Sequence, residues 1–177
     1  GATGFREVRR QSLGADGSTK ITTVSTFLQN HPYIGSVAKT VTFNGSLSDA
    51  VPGVSTALST TTNLYCDKTS TTVNAEAGAK SSGEHCTTTA KVVRPYLLRT
   101  ISEGRDLGGN ALPKTTTEMS VNNTGDPLVS SVTTDGTTAG ESFVKTVTNT
   151  YKADVTTCTT SDQADSQWIS GRLDKTT

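Results

Sequence analysis

The sequence predicts an all-β protein, an antiparallel meander of hairpins forming an extended curved sheet. Three observations carry that expectation. Threonine makes up about a fifth of the chain, and branching at Cβ stiffens χ1 and suits an extended backbone. The β-branched runs are short and separated by turn dipeptides at regular intervals, which is the sequence form of a meander. No window shows a 3.6-residue apolar period, so little helix is expected.

The pattern is clearest between Asn110 and Tyr151. Thr115 to Val121 reads as a strand, broken by Asn122-Asn123-Thr124-Gly125-Asp126-Pro127. Leu128 to Thr134 resumes extended, Asp135-Gly136 turns, and Phe143 to Tyr151 runs back. Towards the N-terminus, Phe5 to Gln11 is a first strand, with Thr19 to Leu28 its hairpin partner across Gly14 to Ser18. The Asp16-Gly17 pair suits a tight turn needing positive φ. Asn30 to Gly35 is a corner, because Pro32 cannot donate to a ladder and Gly35 permits a bend.

Val37 to Phe43 alternates, with Val37, Val41 and Phe43 on one face and Ala38, Thr40 and Thr42 on the other. Lys39 interrupts the apolar face, which predicts an edge or half-covered strand. Asn44 to Pro52 is a loop, and Val54 to Tyr65 and Thr87 to Ile101 are further strands. Asp67 to His85, rich in small polar residues, reads as a flexible loop, and Gly104 to Asn110 as another. Lys152 to Gln167 is polar and loose before Trp168 to Leu173 closes the chain. The recurring unit is an extended run, a glycine turn and an extended run ending near an aromatic. The whole chain, 1–177, reads as a single β-rich segment, and because it opens without a methionine its true start is expected to be missing.

Composition narrows the function classes. Lys+Arg and Asp+Glu are both 16 and the formal net charge is zero, so disorder by self-repulsion is not expected. The hydrophobic fraction is 32%, below the roughly 45–50% of an average globular domain. Without a basic block, the chain lacks the clustered cations of a nucleic-acid surface. Arg6, Arg9 and Arg10, with Glu7 among them, read as the solvated face of the first strand. No apolar run approaches the ~18 residues of a membrane-spanning helix.

The candidates for chemistry are few. Cys66, Cys86 and Cys158 include no Cys-x-x-Cys spacing, so a zinc or thioredoxin reading is poor. Cys66 and Cys86 flank the loose loop, and pairing them in an oxidising compartment would close about 20 residues and stabilise by roughly 3 kcal/mol. The sequence leaves that pairing open. Cys158 reads as an inert thiol in a polar loop. His85 cannot form a dyad with Cys86, because neighbours in a strand point to opposite faces. His31 reads as a corner residue, and a hydrolase requires that the fold bring Cys158 and His31 together. Glu103, Asp106 and Asn110 lack the alternating ligands and closing Glu of a calcium loop, which leaves a solvated turn. No catalytic, cofactor-binding or metal-ligating residue is assigned, and no enzyme is expected.

Several runs carry a family resemblance. Gly4-Phe5-Arg6-Glu7-Val8, then Phe27-Leu28-Gln29-Asn30-His31-Pro32-Tyr33-Ile34-Gly35, then Asn63-Leu64-Tyr65-Cys66 resemble a region of the Rhs/YD-repeat proteins, nearest to the SpvB/TcB-like toxin-complex members. Gly125-Asp126-Pro127-Leu128 stands where those proteins tend to have Gly-Asn-Pro, and Thr148-Asn149-Thr150-Tyr151 is similar to a repeat-ending Asn-Thr-Tyr. Trp168-Ile169-Ser170-Gly171-Arg172-Leu173 matches a Trp-Leu-x-Gly-Arg-Leu that commonly opens the next stretch. The Tyr-Asp dipeptide that names the repeats is missing, since Lys152 follows Tyr151 and Cys66 follows Tyr65. That suits a region leading into the repeats. Asp126-Pro127 invites comparison with the Asp-Pro self-protease of some Rhs proteins, but no second carboxylate is spaced to share a proton with it, and it reads as a turn.

The resemblance implies a non-enzymatic segment of a β-sheet shell that encloses a C-terminal toxin or effector, in a bacterial protein that is secreted or envelope-associated. Its partners would be the remainder of the parent polypeptide, the enclosed toxin and other toxin-complex subunits, with no nucleic acid, cofactor or membrane span. Phe5, Tyr33, Phe43, Tyr65, Tyr96, Phe143, Tyr151 and Trp168 are the large bodies expected to pack the sheet. The alternative is a secreted Thr-rich β-sandwich or solenoid adhesin binding glycan or host protein, which would expose aromatics on one face or at loop tips.

Overall fold

A computed structural model describes residues 4–67, 95–121, 126–151 and 173–177. Among the described residues, nine strands form one open antiparallel sheet in strict sequence order. They are β1 (Glu7–Leu13), β2 (Lys20–Phe27), β3 (Val37–Asn44), β4 (Ser59–Asp67), β5 (Pro95–Gly104), β6 (Lys114–Val121), β7 (Pro127–Asp135), β8 (Ser142–Tyr151) and β9 (Leu173–Thr176). There is no helix among the described residues. The all-β meander read from the sequence is therefore the observed fold. Expected and observed strands agree to within one residue at each end for β2, β3, β6, β7 and β8.

The turns form as their residues dictate. Gly17 takes φ +68 between β1 and β2, where Gly14 N–H donates to the Thr19 carbonyl at 2.7 Å. The Asn30–Gly35 corner closes with Tyr33 N–H on the Asn30 carbonyl at 2.8 Å and Gly35 N–H on the Leu28 carbonyl at 3.0 Å. Gly35 takes φ +82 there, and the His31-Pro32 peptide is cis.

Two expectations need correction. β4 starts at Ser59, later than Val54, because Thr56 and Ala57 turn their amides onto the Gly53 carbonyl at 3.1 Å each. Of the two readings of β3, the edge fails: it lies between β2 and β4, and it buries Ala38, Val41 and Phe43 while its other positions stay partly or fully exposed. Lys39 does lie on the Val41 face, in unbroken register with it, and the bulge falls just beyond it at Ala38, between Thr26↔Lys39 and Phe27↔Val37. A one-residue insertion breaks the period-2 alternation, so both Ala38 and Val41 are buried although simple alternation separates them. The expected loop Asp67 to His85 and strand residues 87–94 lie outside the described residues, apart from Asp67, which ends β4. The segment Lys152 to Gln167 also lies outside them.

The core is small and concentrated under the first four strands. Val24, Val41, Phe43 and Ala57 form one buried cluster, with Ala57 supplied by the β3–β4 connection. Cross-strand pairing puts Thr22 opposite Phe43 and Val24 opposite Val41, and Val41 opposite Thr60, so these residues share one face. The connection 45–58 is tied down over that face. Arg9 Nη1 donates to the Leu47 and Asp49 carbonyls at 2.8 Å each, and Leu47 N–H donates to Gln11 Oε1 at 3.2 Å. Arg9 thus anchors a cover, which goes beyond the solvated role expected of it.

A second cluster joins Leu28, Tyr33 and Ala38 with Tyr65 against it, and a third joins Leu64, Cys66 and Leu98 with Tyr96 against it. Of the residues expected to pack, Tyr33, Phe43, Tyr65 and Tyr96 do so. Phe5 and Phe143 do not, being 78% and 73% exposed. Phe5 precedes the edge strand β1, and Phe143, paired with Thr134, lies near the start of β8. Trp168 lies outside the described residues.

Candidate functional site

The most organised polar constellation in the sheet occurs twice. Its first copy begins where the β3–β4 ladder ends, at the pair Lys39↔Thr62. Past that pair the Ala38 bulge turns β3 away, and a bulged strand leaves backbone groups without ladder partners. Side chains from β4 replace them. Asn63 Nδ2 donates to the Val37 carbonyl at 2.8 Å, and the Tyr65 hydroxyl donates to the same oxygen at 3.2 Å. Asn63 Oδ1 then accepts from the Thr100 hydroxyl of β5 at 3.0 Å. One amide therefore joins three consecutive strands.

The second copy repeats the geometry in β7, β8 and β9. The β7–β8 ladder ends at Val129↔Thr148, just after a bulge at Leu128 that separates Ser120↔Val129 from Val121↔Pro127. Asn149 Nδ2 donates to the Pro127 carbonyl at 3.1 Å, and the Tyr151 hydroxyl donates to the same carbonyl at 2.8 Å. Asn149 Oδ1 accepts from the Thr176 hydroxyl at 2.9 Å. Each such hydrogen bond adds roughly 1 kcal/mol net, and an amide left unpartnered would cost more.

The two copies differ in their surroundings. Tyr65 packs its ring on buried Tyr33, with centroids 6.4 Å apart and planes at 41°, an arrangement favourable for aromatic pairs. Burial pushes the Tyr65 phenol above its usual 10.0, and the Asn63 hydrogen bond opposes that rise. Tyr151 has no such ring beside it among the described residues. No family model, no curated protein and no solved structure matches this chain.

The residues weighed for chemistry fall elsewhere. Asp126 immediately precedes β7, and Pro127 is its first residue, so this pair opens a strand and its carbonyl belongs to the second clamp. Asp106 is occupied by its own loop: Asn110 N–H donates to Oδ1 at 2.8 Å and Asn110 Nδ2 to Oδ2 at 3.0 Å. These bonds hold the Asp106 carboxyl below the usual aspartate range, as a solvated turn would. Glu103 lies near the end of β5, opposite Thr60. His31 is an exposed corner residue. Cys86, His85 and Cys158 lie outside the described residues, and no cluster of three metal-ligating side chains occurs among the described ones. Among the described residues, no helix is long and apolar enough to cross a membrane.

Cys66 is disulfide-bonded. With three cysteines in the chain, its partner is Cys86 or Cys158. Sequence reasoning found the Asn-x-Tyr runs at 63–65 and 149–151 but not their task. Their spacing was the available signal: residues two apart in a strand share a face, so Asn and Tyr reach one carbonyl together.

Proposed function

We propose that this chain is a structural, non-enzymatic segment of an Rhs/toxin-complex-like protein, a strip of β-sheet wall that helps enclose a C-terminal toxin or effector. The observation that carries this reading is the meander of nine strands in sequence order among the described residues, whose buried side chains fall into three small clusters. A strip of that kind extends by adding strands, which is what a wall requires. The residues shared with the family also have structural tasks: Tyr33 fills the corner, and Tyr65 and Tyr151 close the clamps. The disulfide at Cys66 supports an oxidising compartment, consistent with a secreted or envelope-associated protein.

Electron microscopy of the full polypeptide carrying this segment tests the reading. A hollow shell with the 177 residues in its wall is the expected result. A stand-alone domain with no enclosed volume would overturn it. The adhesin alternative draws on the exposed rings of Phe5 and Phe143, and specific glycan capture by the chain that Phe143→Ala abolishes would favour it.

A further inference from the structure

Counting outward from the two clamps along the strand registers superposes far more than six hydrogen bonds. Val37 corresponds to Pro127, Asn63 to Asn149, Tyr65 to Tyr151 and Thr100 to Thr176. The bulges coincide as well. Ala38 matches Leu128 on the near side, and on the far side Leu98 matches Asp174, since Leu64↔Arg99 is followed by Tyr65↔Leu97 and Thr150↔Lys175 by Tyr151↔Leu173. β1 then corresponds to β5 and β5 to β9. Their registers bring Arg9, Arg99 and Lys175 to one position, a cation each time.

The same correspondence explains where the core is. Val24, Val41 and Phe43 match Glu118, Ser131 and Thr133, and buried Thr60 matches exposed Thr146. The first set lies under the connection 45–58, beside the corner 28–36. The second set lies where the connections, 122–126 and 136–141, are short. Among the described residues, three apolar positions beneath the connection 45–58 are polar in the second module, whereas Thr22 and Thr60 keep threonine at the matching Thr116 and Thr146. Glu118 instead pairs with Arg99, Nε to Oε1, at 2.5 Å.

Independently of the proposed shell role, we infer that the chain is a tandem of one four-strand module, β1–β4 and β5–β8, with β9 opening a third, in which Asn63-x-Tyr65 and Asn149-x-Tyr151 are the residues that set strand register. The clamp is the conserved device between the copies, and the segments 28–36 and 45–58 are additions to the first copy. Each clamp stops its ladder at a fixed pair and holds the bulged strand at the one offset where a single carbonyl meets both Asn and Tyr. Without it, threonine opposite threonine offers little to distinguish one register from the next, because flat polar strands specify pairing weakly.

Residue-resolved amide exchange and cross-strand Hα contacts on the 177-residue chain test this. Asn63→Ala should speed exchange about fivefold or more at residues 37–40, 61–65 and 97–101, weaken the Lys39–Thr62 contact and populate a register slipped by two residues. It should leave β7, β8 and β9 unchanged. Asn149→Ala should do the same at residues 127–130, 147–151 and 173–176 and spare the first module. Tyr65→Phe and Tyr151→Phe, which each remove one hydroxyl, should give weaker versions of the same two patterns, and they decide the matter where an alanine variant does not fold. Unchanged exchange and register, acceleration spread evenly over all nine strands, or a response from only one of the two sites would each overturn the inference.

Discussion

At the scale of single residues, short polar side chains hold the turns of this protein. Asp16 shows how. Its carboxylate accepts a hydrogen bond from the Thr19 hydroxyl, and from the Thr19 and Ser18 amides at 2.8 and 3.0 Å. All three favour the ionised form, with the Thr19 hydroxyl the largest contributor, and hold this carboxyl far below its usual 3.8. Because the folded value is depressed, the turn gains from ionisation above pH 3.8 and loses that gain as pH falls through the folded value. We expect the Ser18 and Thr19 amide shifts to titrate with a midpoint well below 3.8, and Asp16→Asn to remove that titration. A midpoint at or above the ordinary aspartate value would contradict the hydrogen bonding described.

At the scale of elements, a strand's burial depends on what crosses it more than on its own residues. β3 and β7 correspond in register, yet β3 carries Val41 and Phe43 beneath the 45–58 connection while β7 carries the partly exposed Ser131 and Thr133. Phe43 retains 4% of its exposure and packs on Val24, Val41 and Ala57. We expect Phe43→Ala to destabilise by about 3–4 kcal/mol through lost burial and a residual cavity. Thr133→Ala at the matching position should shift stability by no more than about 0.5 kcal/mol. Chemical denaturation of both variants checks the contrast, and equal effects would mean that the cover contributes nothing.

At the scale of the whole molecule, the sheet is open and thinly cored, so long-range ties matter. The disulfide at Cys66 is one, anchored in the cluster with Leu64 and Leu98. Titration of the unreduced, denatured chain should find one free thiol, and peptide mapping should assign the partner to Cys86 or Cys158. Three free thiols would rule the bond out. Reduction should destabilise the protein by about 3 kcal/mol if the partner is Cys86, and by somewhat more if the longer loop to Cys158 is the one closed.

The sequence by itself determined the class of fold and much of the strand plan. Threonine density, the absence of helical periodicity and turn pairs such as Asp16-Gly17 and Asp135-Gly136 act locally, within a few residues, and local preferences can be read without a partner strand. It also marked Asn63-x-Tyr65 and Asn149-x-Tyr151 as strand ends. Tertiary structure alone decided that β3 is central, because the bulge at Ala38 appears only once β2 lies beside it. It decided likewise that Phe43 is covered while Phe143 is not, and that each Asn and Tyr converge on one carbonyl. Those outcomes depend on register between segments distant along the chain, and in strands of near-identical threonine composition no single segment carries the information that fixes its partner.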